Sequence, residues 1–282
     1  MERPAVVSQA TDVVRFIWDH PANRHRRGRQ LARAVSFQVQ ARLLHRRVQA
    51  PVGAAGRIWV DLHRNSASKA LYANPPDVPE MLVWQRFLRP GDLFVDVGAN
   101  VGTYPVLAAG LGASVVAVEA AADTARLLRE NVELNRFDDV EVVEAAAGAR
   151  RGSVRFLSGQ DSVNRIDPGG EAEVEMVTLD SLIGDRPVAG LKVDVEGFEL
   201  QVLEGAAGAL ADQRIALMQL EWNDTSMDAV GANRDPVAEL LDGHGYELLW
   251  PDGRGALAPR PASARTPVQN LFAAPRGGRP EL

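Results

Sequence analysis

The chain has 282 residues, 46% hydrophobic and 24% charged, so it is long enough to bury one substantial core. It contains no cysteine, which excludes disulfides, thiolate–zinc sites and cysteine nucleophiles and suits a reducing compartment. The net charge of −6 combines two opposite parts: residues 1–50 carry ten arginines against three acids, or +7, and the remainder carries 21 basic against 34 acidic residues, or −13.

The arginine-rich N-terminal region is the first predicted element. Apolar residues recur every four positions, as in an amphipathic helix, at Leu31, Val35, Val39 and Leu43. We assign residues 1–55 to a basic helical arm and residues 56–282 to one further domain. We expect residues 28–48 to be a helix docked on this chain or on a second copy. Phe37 is the only aromatic residue in that stretch, so we predict no nucleic-acid partner.

From about residue 90 the sequence alternates strand-like and helix-like segments. The strand-like runs are LFVDVG (93–98), VVAVEA (115–120), VEVVEAA (140–146), LKVDVEG (191–197) and IALMQLEW (215–222). Helical patterns at 124–135 and 199–210 separate them, whereas SVRFL (153–157) and EVEMVTL (173–179) have no helix between them and are predicted to join or extend over the sheet. YELLW (246–250) and NLFAA (270–274) are the last two strand-like runs. The sequence therefore predicts a doubly wound, mostly parallel α/β sheet with an antiparallel C-terminal strand pair.

The turn after the first of these strands distinguishes between two cofactors. It reads Asp96-x-Gly98-x-Asn100-x-Gly102, whereas a dinucleotide-binding turn reads G-x-G-x-x-G. A carboxylate is repelled by a pyrophosphate but stabilised beside an ammonium or a sulfonium, which favours S-adenosylmethionine. Glu119 ends the next strand, where it is positioned to accept hydrogen bonds from ribose hydroxyls. Nicotinamide sites share that feature, so Glu119 alone does not discriminate.

Three segments resemble the FkbM-type methyltransferases, a branch of the class I S-adenosylmethionine-dependent enzymes. They are LRPGDLFVDVGANVG (88–102), VTLDSL (177–182) and LKVDVEGFELQVLEGA (191–206). The resemblance implies the seven-stranded, Rossmann-like class I methyltransferase sheet and O-methylation of a polyketide-like natural product or a sugar. It also implies a cofactor site at Asp96, Gly98, Ala99, Asn100, Gly102, Glu119, Ala146, Ala147 and Asp194. Ala120 departs from the family pattern, in which proline is frequent at that position.

The candidate catalytic residues lie at the ends of two successive strand-like runs, 191–197 and 215–222. Lys192, Asp194 and Glu196 share one side of a strand, and Glu221 ends the following strand. We predict that the three carboxylates surround the transferring methyl group and that Asp194 accepts the proton of the acceptor. The same carboxylates are candidate ligands for a divalent metal, which the sequence leaves open. A structural interpretation also stays open, in which Lys192 forms ion pairs and Glu196 caps the next helix.

The expected partner is a small molecule that carries a hydroxyl group. The arm is a possible contact between two copies, and the loops 158–170 and 251–267 are candidate lids. No apolar run of about 18 residues and no signal-peptide pattern occurs, so we predict a cytoplasmic protein without a transmembrane segment. Two alternatives remain: a nicotinamide-dependent oxidoreductase, although no Tyr-x-x-x-Lys pair is present, and a catalytically silent binding module on a methyltransferase fold.

Overall fold

The computed structural model describes residues 5–44, 46–60, 65–157, 165–166, 169–170, 172–222, 234–259 and 270–278. Its helices are α1 (Ala5–Asp19), α2 (Arg27–Leu44), α3 (Asn65–Tyr72), α4 (Glu80–Phe87), α5 (Thr103–Gly110), α6 (Ala122–Asn135), α7 (Leu179–Ile183), α8 (Glu199–Glu204), α9 (Ala207–Ala211) and α10 (Asp235–Gly243). Its strands are β1 (Val48–Val52), β2 (Gly56–Val60), β3 (Leu93–Val97), β4 (Ser114–Val118), β5 (Val140–Val143), β6 (Ala146–Ala147), β7 (Gly152–Leu157), β8 (Arg165–Ile166), β9 (Ala172–Val177), β10 (Val188–Val193), β11 (Ile215–Glu221), β12 (Tyr246–Pro251), β13 (Leu257–Pro259) and β14 (Asn270–Pro275). Most of the 158–170 loop, and residues 260–267 of the other candidate lid, lie outside the described residues.

An eight-stranded sheet forms the centre of the described chain, in the order β13-β12-β14-β11-β10-β3-β4-β5. The strands from β11 to β5 are parallel, and β14, β12 and β13 are antiparallel. This confirms the predicted doubly wound sheet with its antiparallel C-terminal pair, to which the short edge strand β13 is added. Because β3 lies between β4 and β10, the strand order reverses there, and ligands bind such sheets beyond the strand ends at the reversal point.

The strands predicted at 153–157 and 173–179 lie in a separate sheet rather than in the central one. β7 and β9 pair antiparallel, and β9 also pairs in parallel with the two-residue strand β6. The order of this four-stranded sheet is β6-β9-β7-β8. Phe156 is the only side chain of β7 that is buried, so β7 adds little to the central core.

The helix predicted at 199–210 is divided into α8 and α9. A Cβ atom on Gly205 would lie 2.1 Å from the backbone oxygen of Gly148. Only glycine allows this close approach of two backbones. The break lets the two short helices cover the sheet separately, with Val202 and Ala209 both fully buried.

The N-terminal helices pack against the body of the chain, but not through the whole predicted apolar stripe. Ile17 of α1 and Phe37 of α2 belong to the same buried core as Trp84. Val35 and Val39 of the stripe are 64% and 50% exposed, so these two residues are not part of that core. Docking of residues 28–48 on this chain or on a second copy stays a prediction.

The predicted boundary at residue 55 falls in the turn between β1 and β2, which pair with each other. The division into two domains therefore stays a prediction. Within the part of the chain that the structure describes, no helix is long and apolar enough to cross a membrane.

Candidate active site

The turn after β3 is shaped by glycine and by its contact with β10. Gly98, Asn100 and Gly102 have φ angles of 78°, 51° and 90°, in the left-handed region that glycine and asparagine tolerate best. A Cβ atom on Gly98 would lie 1.9 Å from the backbone oxygen of Asp194. The turn is therefore pressed against the segment that carries the candidate base.

The five backbone amides of this turn all donate hydrogen bonds within the chain. Gly98 and Ala99 both donate to the Val118 carbonyl, each at 3.0 Å, and Gly102 donates to the Ala99 carbonyl at 2.9 Å. The other two amides donate to side chains: that of Asn100 to the Glu119 carboxylate and that of Val101 to the Asn100 amide oxygen. A loop that cradles a pyrophosphate directs its amides at the ligand, so this turn is unsuited to a dinucleotide.

Glu119 is fixed by two backbone donors. The amide of Asn100 lies 2.9 Å from Oε2, and the amide of Ala121 lies 2.8 Å from Oε1. Burial raises the pKa of Glu119, while these two hydrogen bonds oppose the rise. A carboxylate accepts about four hydrogen bonds, so each oxygen can accept one more from a neighbouring hydroxyl. The departure at Ala120 leaves this arrangement intact, because Ala121 supplies the second donor.

A buried lysine joins two strand ends beneath the turn. Lys192 of β10 lies directly opposite Asp96 of β3 in the sheet register. Its Nζ is 3.0 Å from Asp194 Oδ2 and 3.5 Å from Asp96 Oδ1, and it lies over the Tyr104 ring, 4.8 Å from the centroid. Burial disfavours the charge of Lys192, but the two aspartates outweigh burial and raise its pKa. Lys192 is therefore the positive centre of the site.

Asp96 lies under the cavity rather than in its wall. Its side chain is 1% exposed, and neither of its oxygens accepts a hydrogen bond from the described residues. Burial raises the pKa of Asp96 to about 6, although Lys192 acts in the opposite direction. A chain of polar contacts continues from Lys192 through the Tyr104 ring to Gln219, whose Nε2 lies 3.3 Å from the Tyr104 hydroxyl. Trp84 Nε1 donates to the other end of the same amide at 2.6 Å.

The loop that carries the candidate carboxylates is held by Glu199, which the sequence reasoning missed. Glu196 and Gly197 have φ angles of 52° and 97°. The amides of Val195 and Gly197 both donate to Glu199 Oε1, each at 3.2 Å. Glu199 thus holds the loop that leads into α8. The N-cap position of this helix is Phe198 and not Glu196, the residue named in the structural interpretation, and it has no side-chain capping hydrogen bond. An acid in the first turn of a helix is the sequence signal that could have drawn attention to Glu199.

Three carboxylates meet at this strand edge. One oxygen each of Asp194, Glu196 and Glu221 lies within 4.8 Å of the others. Such a cluster can accept a proton, and its oxygens are also ligands of the type that magnesium and calcium bind. The ion pair of Lys192 with Asp194, foreseen in the structural interpretation, is present as well.

A cavity of about 560 Å³ opens over these groups. Of the predicted site residues, all line it except Asp96 and Gly102. Its wall also includes residues that the sequence did not single out: Phe16, His20, Lys69, Asp77, Glu80, Tyr104, Phe156, Gln219 and Asn270. They come from α1 and the residue that follows it, from the segment that runs from α3 to the start of α4, and from α5, β7, β11 and β14. No local motif marks them, because the fold alone brings them to the cavity.

The strand order, with a glycine turn and carboxylates gathered at its reversal point, is that of a Rossmann-like methyltransferase. The profile described as "Methyltransferase FkbM domain" matches residues 96–248. The chain belongs to this family. It is a methyltransferase, and the oxidoreductase and silent-module alternatives are set aside.

Two curated relatives and one solved structure are similar to this chain. The 31-O-demethyl-FK506 methyltransferase FkbM of Streptomyces tacrolimicus is 31% identical over 201 residues, covering 57% of this chain and 75% of the relative. The hexuronic acid methyltransferase AglP of Haloferax volcanii is 28% identical over 135 residues, covering 46% of this chain and 56% of the relative. The crystal structure of a methyltransferase FkbM from Methylobacillus flagellatus has a TM-score of 0.43 and 18% identity, covering 74% of this chain and 52% of that protein.

The buried carboxyl group of Glu199 predicts a pH-dependent stability. Burial raises the pKa of Glu199 from 4.5 to about 7, against the opposing effect of its backbone hydrogen bonds. The folded state thus binds a proton more tightly than the unfolded state. The resulting stabilisation is complete below pH 4.5 and is lost as the pH rises to about 7.

Glutamine at this position stays neutral. We expect Glu199→Gln and the parent to be similar in stability at pH 4.5. At pH 8 the variant should be the more stable by about 3 kcal/mol. Urea unfolding across this pH range measures the difference. Glu204→Gln, on the exposed side of the same helix, is the control. A constant difference between Glu199→Gln and the parent at all pH values would contradict the prediction.

Proposed function

We propose that this protein transfers a methyl group from S-adenosylmethionine to a hydroxyl oxygen of a small-molecule natural product or sugar. One observation carries the proposal: Glu119 and the Gly98 turn line the same cavity as Asp194, Glu196 and Glu221. Groups suited to binding the cofactor and groups able to accept a proton thus line the same cavity. Such an arrangement suits a displacement in which the acceptor oxygen, methyl carbon and sulfur must be collinear, about 3–3.5 Å from oxygen to carbon.

The relatives support a small hydroxylated acceptor. Their names give 31-O-demethyl-FK506 as the substrate of one and hexuronic acid as that of the other. This chain spans 56% of the length of the second relative, so the substrate class is carried over only as a proposal.

The residues present fit S-adenosylmethionine, which supplies an electrophilic methyl group on its sulfonium. Glu119 has acceptor capacity for the two ribose hydroxyls, and the backbone at Ala146 and Ala147 offers an adenine contact. The turn amides are already engaged, so the cofactor carboxylate is expected at the first turn of α5, beginning with Thr103 in the cavity wall. The carboxylate of Asp96, which lies beneath the cavity, attracts the cationic end of the cofactor electrostatically.

Asp194 is our candidate for the proton acceptor. Lys192 engages its Oδ2 at 3.0 Å, which leaves Oδ1 for the hydroxyl of the acceptor. Lys192 is then a positioning residue, because it fixes the direction of the carboxylate. Glu196 and Glu221 either share the proton or, together with Asp194, bind a divalent metal that lowers the pKa of the hydroxyl.

The cofactor assignment predicts a loss of affinity when Glu119 is replaced. Glu119→Ala removes the acceptor for two ribose hydroxyls, which costs roughly 1–3 kcal/mol, or about five- to a hundred-fold in affinity. Calorimetric titration with S-adenosylmethionine measures the loss, and NAD serves as the parallel ligand. Glu141→Ala removes an exposed carboxylate outside the cavity and should bind as the parent does. Equal affinity of Glu119→Ala and the parent would contradict the assignment.

The catalytic assignment predicts that Asp194→Asn lowers kcat by about a hundred-fold or more, with cofactor affinity retained. If a metal is involved, chelation lowers activity as well, and Glu196→Gln and Glu221→Gln then lose metal affinity. The measurements are turnover of an acceptor before and after chelation, with cofactor binding followed separately. Harmless chelation, together with turnover within about threefold of the parent for all three variants, would show that these carboxylates are structural.

The arm residues support a contact between two copies. Val35 and Val39 expose apolar surface on a basic segment, while the rest of the chain is acidic. We expect Val35→Ser combined with Val39→Ser to weaken self-association in sedimentation velocity, and an unchanged distribution of species would oppose this contact. Absence of a nucleic-acid partner and a cytoplasmic location stay predictions.

A further inference from the structure

Part of the cavity wall is built by α1 and by the segment that precedes α4. Phe16 of α1 and His20, the residue that follows this helix, line the cavity together with Asp77 and with Glu80, the first residue of α4. His20 ties the two segments together: its Nδ1 accepts a hydrogen bond from the Ala22 amide at 3.2 Å, and its Nε2 lies 3.0 Å from the Pro76 carbonyl. Because Nδ1 is the acceptor, Nε2 carries the proton and the ring is neutral. Burial lowers the pKa of His20 and favours the same neutral form.

The described cavity wall has more acids than bases. Its carboxylates are Asp77, Glu80, Glu119, Asp194, Glu196 and Glu221, and its ammonium groups are Lys69 and Lys192. Each lysine already faces an aspartate: Lys69 lies 3.8 Å from Asp77, and Lys192 lies 3.0 Å from Asp194. Six acids against two bases give the wall a formal balance of −4. S-adenosylmethionine, with one ammonium, one sulfonium and one carboxylate, would neutralise only part of this charge.

Glu80, at the start of α4, contributes to the acidic cavity wall beside β14. Asn270 Nδ2 lies 3.4 Å from Glu80 Oε1, and Asn270 is paired with Glu221 across β14 and β11. Burial raises the pKa of Glu80 and the Asp77 charge acts in the same direction, while its hydrogen bonds and the Lys69 charge oppose the rise without cancelling it. A cation or a hydroxyl donor bound beside Glu80 would stabilise its ionised form.

We propose that the acceptor is a hydroxylated molecule that carries an amine, with the amine beside Glu80, and that the cavity discriminates against acidic acceptors. The inference rests on the proposed methyl transfer to a small molecule. An ammonium group entering this wall meets opposite charges, whereas a carboxylate or phosphate meets like charges in a partly desolvated space. The acceptor thus differs in charge from the hexuronic acid named for one relative.

The experiment compares three methyl glycosides that differ in one group: glucosaminide, glucoside and glucuronide. Their binding is measured by calorimetry on the full chain saturated with S-adenosylhomocysteine, so that affinity is read without turnover. Methyl transfer from S-adenosylmethionine is followed by mass spectrometry. We expect the amine to bind about tenfold more tightly than the neutral glycoside, and the acid to bind most weakly.

A variant that removes the charge of Glu80 tests whether this side chain causes the preference for the amine. Glu80→Gln should reduce the preference for the amine over the neutral glycoside about threefold or more, with unchanged affinity for S-adenosylhomocysteine. Glu133→Gln makes the same change on an exposed position outside the cavity and should keep the parent's preference.

The outcomes separate this inference from the function on which it rests. Binding of the glucuronide as tight as that of the glucosaminide overturns the amine assignment. So does absence of glucosaminide binding while S-adenosylhomocysteine is bound. Both results leave methyl transfer standing. Failure of the chain to bind either form of the cofactor overturns the proposed function and the acceptor class together.

Discussion

A buried ammonium group must be paired, and the site depends on how this chain pairs one. Lys192 is 4% exposed and lies between Asp96 and Asp194. Asp96 without the lysine would be a desolvated charge, and so would the lysine without its aspartates, since removal of one partner of a buried pair costs about 3–5 kcal/mol. Asp194 is partly exposed and pairs with Lys192 from the cavity side. The pairing therefore favours one register of β3 against β10, with Lys192 opposite Asp96.

That register also sets the geometry above it. When Lys192 lies opposite Asp96, the turn at Gly98 meets the backbone of Asp194, and Asn100 can donate to Glu119 across the neighbouring strand end. Glu199 then fixes the other side of the Asp194 loop through two amides. Cofactor-side and acceptor-side groups are thus linked by the close backbone contact of Gly98 with Asp194 and by buried carboxylates that accept hydrogen bonds from backbone amides.

The sequence predicted those parts of the fold and site that are encoded locally. Apolar runs identified the strands, and the strand ends pointed to Glu119, Asp194 and Glu221. Periodicity did not show which face of α2 packs, because Phe37 and the exposed Val39 are only two positions apart and both are apolar. It also missed β13, which lies in a proline-rich stretch where no alternation is visible.

The sequence did not predict the remaining residues of the cavity wall, for a different reason. Glu80 and Asn270 are 190 positions apart along the chain and contact each other only in the folded protein, and Phe16 lies still further from Asn270. Nothing in their own neighbourhoods distinguishes them from surface polar or core apolar residues. The difference has a physical cause. The functional residues at strand ends belong to short, local sequence patterns, whereas the shape of the cavity depends on tertiary contacts between distant segments.

The contact between Gly98 and Asp194 has a consequence for altering this enzyme. Since a single added carbon at position 98 would meet the Asp194 carbonyl, the floor of the cavity behaves as one rigid piece that tolerates little redesign. The wall from α1 and the segment before α4 makes no such backbone contact with Gly98. Directed evolution of a new acceptor range would accordingly find more room at positions such as Phe16, Val78 and Glu80 than at the strand ends.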